Sequence, residues 1–138
     1  MSTAPAPAAL AAARRHYATE SVATASPARL LLMLWDRLVR DLVQAEDALV
    51  VHRLDVACDR LVHAQDILSE LDTTLDTSVW EGGEGLSQLY RFCRAELVAA
   101  NLTKDPQRVG AVRELLEPLR DAWREAAMAA AVPAVAPA

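Results

Sequence analysis

The chain has 138 residues, of which 53% are apolar and only 4% aromatic, with a formal net charge of −5. That is one domain's length with one core of Leu, Ala and Val, and the composition favours helices. The negative charge excludes a phosphate-backbone binder and so nucleic acid as a partner.

Residues 1–7 form an Ala/Pro-rich tail without apolar periodicity, too poor in buriable surface to order. Arg14-Arg15 follow the alanine run at its start, the reverse of a secretory signal. Residues 8–18 can form a short helix that needs docking to persist. Ser26-Pro27 then reads as an N-cap with proline at the first helical position. Four long helical patterns follow, at 27–52, 54–76, 83–104 and 106–130, and 132–138 is a second Ala/Pro tail. The helical-bundle domain is therefore expected over 8–131.

The first pattern carries an apolar seam of Leu31, Leu34 or Trp35, Leu38, Leu42, Ala45 and Leu49. The second carries Leu54, Ala57, Leu61, Ala64, Leu68, Leu71 and Leu75, at alternating steps of three and four. The third offers Leu86, Tyr90, Cys93, Leu97 and Ala100, and the fourth Val109, Val112, Leu116, Leu119, Trp123, Ala126 and Ala130. Four such seams joined by short turns predict an all-α, antiparallel four-helix bundle with a short N-terminal helix or cap. Asp55 is expected to cap the second helix beside a tight break at His52-Arg53, the glycine-rich stretch from Asp76 to Gly85 to reverse the chain, and Asp105-Pro106 to open the fourth helix. Pro118 interrupts the fourth seam, where it removes a donor to Glu114 and should kink the helix.

Chemistry is sparse. Cys58 and Cys93 stand apart, as buried reduced thiols of a cytoplasmic protein would. The Glu-x-x-His pairs of a di-iron bundle are absent, and His16, His52 and His63 share no metal spacing, so no metal or cofactor is expected. Asp59 with Asp66, and Glu114 with Glu117, read as solvated outer-face charges. His63, with Arg60 one turn before it, leaves a phosphorelay role as an alternative, against which the following Ala64-Gln65-Asp66 argues. Neither a catalytic motif nor an apolar run long enough for a bilayer is present, so neither enzyme activity nor membrane insertion is expected.

Apolar residues exceed what one seam per helix needs: Leu30, Met33, Val39, Val43 and Val50 in the first, Val62 and Ile67 in the second, Leu89, Phe92 and Val98 in the third. Part of this widens the core, and the remainder predicts an exposed apolar surface for another chain, or for a second copy in a structural homodimer.

A signature runs through Tyr17, Val22, Thr24-Ala25-Ser26-Pro27, Leu30, Met33-Leu34-Trp35-Asp36, Ala45 and Ala48. It continues through Ala64-Gln65-Asp66-Ile67-Leu68, Glu70-Leu71, Leu75-Asp76, Gly82-Gly83-Glu84 and Leu89-Tyr90, and ends with Ala100-Asn101-Leu102, Asp105 and Leu119-Arg120-Asp121-Ala122-Trp123. In this order the pieces resemble the FliS-type flagellar secretion chaperones. The resemblance implies a cytoplasmic export chaperone that binds the disordered C-terminal segment of flagellin, prevents its premature polymerisation and delivers it to the flagellar type III export gate. It also implies that the N-terminal segment can occupy part of the cleft when the partner is absent. The groove is expected at Leu31, Trp35, Val39, Ile67, Leu89 and Phe92, covered in part by Tyr17 and Val22. Trp35 and Arg37 depart from the tyrosine and glycine common around the MLxD motif. Asp36 and Asn101 fit either inter-helix hydrogen bonding or partner contact.

Overall fold

A computed structural model describes residues 27–75 and 82–131. The expected tails, the 8–18 helix and the Ser26 cap lie outside the described residues, as do Tyr17 and Val22. Four helices occupy the rest: α1 (Pro27–Val50), α2 (Leu54–Thr74), α3 (Gly83–Thr103) and α4 (Pro106–Ala131). Each packs on two neighbours, α1 on α2 and α4, and α3 on α2 and α4, with the α3–α4 seam the loosest. Polar pairs descend one helix as they climb the next, which makes neighbours antiparallel. Asp36 meets Arg124 (2.9 Å) and Glu46 meets Arg113 (2.9 Å) between α1 and α4; Asp72 meets Ser87 (2.5 Å) between α2 and α3.

The core is the expected set of seams. Leu38, Leu42, Ala45 and Leu49 of α1 close on Ala57, Leu61, Ala64, Leu68 and Leu71 of α2, Leu86 to Ala100 of α3, and Val109, Val112 and Leu116 of α4. The ends of two seams depart from it: Leu54 is exposed at the head of α2 and Ala126 near the tail of α4, because each lies beyond the facing helices' shared overlap. Trp35 is wholly buried, its ring centroid 6.0 Å from that of Tyr90, and its Nε1 has no hydrogen-bond partner among the described residues.

The turns show how helices end here without glycine. His52 takes φ 59°, Arg53 N–H donates to Ala48 O (2.8 Å) and His52 N–H to Leu49 O (3.2 Å), the paired bonds of a Schellman end. Val51 and His52 thus leave the helix expected to run to 52. Lys104, at φ 58°, ends α3 in the same left-handed conformation. The Asp105 expectation holds, since its Oδ1 accepts from Gln107 N–H at 2.9 Å. Asp55 does not cap α2: no side chain caps that start, and Asp55 lies in the first turn, where its charge favours the helix dipole.

Helix α4 continues through Pro118, whose side is exposed. With no packing to lose, Pro118→Ala should restore a helical hydrogen bond and stabilise the fold by about 2 kcal/mol. Urea titration measures this, and an unchanged midpoint would contradict it.

Cys93 is buried and Cys58 half-buried. Burial pushes the Cys93 thiol up from 9.0 to about 11, with Glu96 adding to the effect. Because the fold favours the neutral thiol, this contribution to stability is full below pH 9 and is lost as pH rises toward 11. At pH 8 a thiol reagent should therefore label Cys58 first and Cys93 only on opening of the bundle. Equal rates would disprove the assignment.

Candidate functional site

The α1–α2 face opens into a groove of about 610 Å³. Its apolar lining comes from Leu30, Leu31, Met33 and Leu34 of α1 and Ile67 of α2. Steps of one, two and one place these α1 residues around more than the narrow stripe a two-helix contact can cover, so Met33 stays 55% exposed and Leu30 half-buried. Arg37 borders the groove from α1, and His63, Asp66, Glu70 and Thr74 from α2.

Under this rim lies a charged cluster that periodicity alone did not reveal. Asp41 is 0% exposed and accepts from Arg37 Nε (3.1 Å), Arg60 Nη1 (3.2 Å) and His63 Nδ1. A buried carboxylate demands such partners, because desolvation without them costs several kcal/mol (about 3–5 on loss of a partner). Arg60 also reaches exposed Asp59 (2.6 Å); that hydrogen bond raises the Arg60 pKa and, with the guanidinium charge, holds the Asp59 carboxyl below the usual carboxylate range. The cue was present in the sequence: Asp41 falls three residues after Leu38 and four before Ala45, on the seam itself. His63, singled out for phosphoryl relay, is instead tied through one ring nitrogen to this carboxylate.

The expected groove residues do not form one groove. Leu31 and Ile67 line the α1–α2 opening together. Trp35 and Val39 are in the core, at 0% and 5% exposure, because the face of α1 that bears them turns inward. Leu89 and Phe92 stand two turns and one turn before Glu96, respectively, whose carboxylate faces Arg108 of α4 (3.8 Å), so their stripe belongs to the α3–α4 seam. Leu89 is half-buried there and Phe92 53% exposed.

The apolar surplus divides likewise. Met33, Val43, Val50, Val62, Phe92 and Val98 are exposed, Leu30 and Leu89 half-buried, and Val39 and Ile67 buried. Exposed Val51, Leu102, Leu115 and Met128 add to the surface. Asp36 and Asn101 make contacts between helices, Asp36 with Arg120 and Arg124, and Asn101 with the Cys58 sulfur at 3.5 Å. Among the described residues no three His, Cys, Asp or Glu side chains gather as a metal site, and no helix is long and apolar enough to cross a membrane.

A sequence model described as "Flagellar protein FliS" matches residues 9–130. The chain is 30% identical over 110 residues to the flagellar secretion chaperone FliS of Bacillus subtilis, covering 80% of this chain and 82% of that protein. It is 31% identical over 105 residues to the protein of that name in Vibrio cholerae, covering 74% and 76% of the two chains. The Salmonella typhimurium protein of the same name is 32% identical over 114 residues, covering 76% and 79%. Matched over nearly all of its helical region, and folded as four packed helices, the chain belongs to the FliS family of flagellar secretion chaperones.

Proposed function

We propose that this protein is a cytoplasmic export chaperone that holds the disordered C-terminal segment of flagellin, keeps it from polymerising and carries it to the flagellar type III export apparatus. The single observation that supports a polypeptide guest is the open α1–α2 groove, whose apolar floor has no covering helix among the described residues. An amphipathic segment folding into it exchanges ordering entropy for apolar contact. Leu31 and Ile67 are the first contacts in this reading. Leu89 and Phe92 extend the surface around the bundle, as a wrapping guest requires, while Trp35 and Val39 support the walls from inside. Tyr17 and Val22 retain their proposed role as a cover displaced by the guest.

Calorimetry of the full chain with a flagellin C-terminal peptide tests this. The expected result is one-to-one binding with a gain in helical circular dichroism greater than the sum of the parts. Absence of binding at about 100 μM peptide, far above the Kd of a specific complex, would reject the reading. Sedimentation of the chain alone distinguishes it from a homodimer that covers its own apolar surface.

A further inference from the structure

We propose that the α1–α2 groove selects its guest helix by the charge on one polar edge, seating a helix that carries lysine or arginine along the side lying over α2. This rests on the proposed function and specifies the chemistry of the segment bound. The two rims of the groove are electrically unlike. On the α2 rim, His63, Asp66 and Glu70 follow one another at steps of three and four and so share one side of the helix. Asp66 and Glu70 are exposed, and neither side chain has an ion pair or hydrogen bond among the described residues. On the α1 rim stands Arg37, a guanidinium already engaged by Asp41.

Buried Asp41 sets this asymmetry. It takes Arg37 from one rim and the Nδ1 edge of His63 from the other, which fixes both side chains across the groove. The α2 rim therefore offers two carboxylates without a partner among the described residues, and the α1 rim offers a guanidinium. A guest helix with its apolar face on Leu30, Leu31, Met33 and Ile67 meets this field along both flanks. Cations spaced three or four residues apart over α2 are attracted. Carboxylates there are repelled, so the charge order fixes the helix's rotation about its own axis as well as its identity.

The test uses the full chain and the flagellin C-terminal peptide, by calorimetry at two salt concentrations. Asp66→Lys with Glu70→Lys should weaken binding roughly 10-fold at low salt, and Asp66→Asn with Glu70→Gln about 3-fold while flattening the salt dependence. A peptide whose basic edge is changed to glutamate should recover affinity for the lysine variant. Both substituted positions are exposed, and melting curves check that the folds are unchanged; should the lysine variant fail to fold, the neutral pair still decides. Wild-type binding that neither substitution alters by more than twofold overturns this inference and leaves the proposed function standing. No binding by the wild-type chain overturns both.

Discussion

Replacing Arg60 and His63 together by alanine should destabilise the bundle by about 3–5 kcal/mol, more than replacing the carboxylate they both serve. The order follows from where each charge sits. Asp41 is 0% exposed and cannot reach water without opening the α1–α2 contact, so losing two of three donors leaves its charge with Arg37 alone. Arg37 and His63 side chains are each 43% exposed and Arg60 21%, so after Asp41→Leu these three donors can turn toward solvent. Asp41→Leu should then cost no more than about 1–2 kcal/mol, because apolar replacement of a buried ionic group removes its desolvation cost along with its attraction. Guanidinium denaturation of the two variants gives the comparison. A larger loss for Asp41→Leu than for the double alanine would show that the donors, rather than the carboxylate, are the groups held at a cost.

Placing aspartate at both Leu30 and Met33 should weaken flagellin-peptide binding roughly 100-fold, equivalent to about 2.7 kcal/mol. Met33 is 55% exposed and Leu30 half-buried, so the guest-free fold loses little when they become polar. The bound state, however, must desolvate two carboxylates against an apolar helix. Calorimetry measures the loss and thermal melting controls for folding. Phe92→Asp provides a second arm on the α3–α4 seam. A similar loss there shows a guest wrapped over both faces, and no loss confines it to α1–α2. Full affinity in the Leu30/Met33 variant would remove the groove from the binding surface.

The helices were legible because their signals are local. Asp105-Pro106 marks its boundary through one side-chain acceptor and one missing donor, and the structure has that bond. The steps of three and four in α2 and α3 identified Leu61, Leu68, Tyr90 and Cys93 as core without knowledge of their partners. The ends of α1 and α3 were harder to read, because His52 and Lys104 adopt the left-handed conformation that glycine usually supplies. Asp55 misled for a related reason: an acidic residue near a helix start fits a cap and a first-turn charge equally well.

The candidate site was legible only in fragments. Periodicity assigns a residue to a face of its own helix, and that was enough to detect an excess of apolar side chains. It does not say which neighbouring helix the face meets. Leu31, Trp35, Ile67 and Phe92 therefore looked equivalent in the chain, whereas packing sends them to a groove wall, the core, the opposite wall and another seam.

By itself the sequence determined the helical class, the helix limits to within two residues at the described ends, and the family, since each depends on residues close together along the chain or on their order. The tertiary structure alone decided that Asp41 holds Arg37, Arg60 and His63, and that a groove opens beside them with one basic and one acidic rim. Those features join α1 to α2 across separations of 19 and 22 residues. Burial creates the need for such partners, and burial exists only once two helices have met.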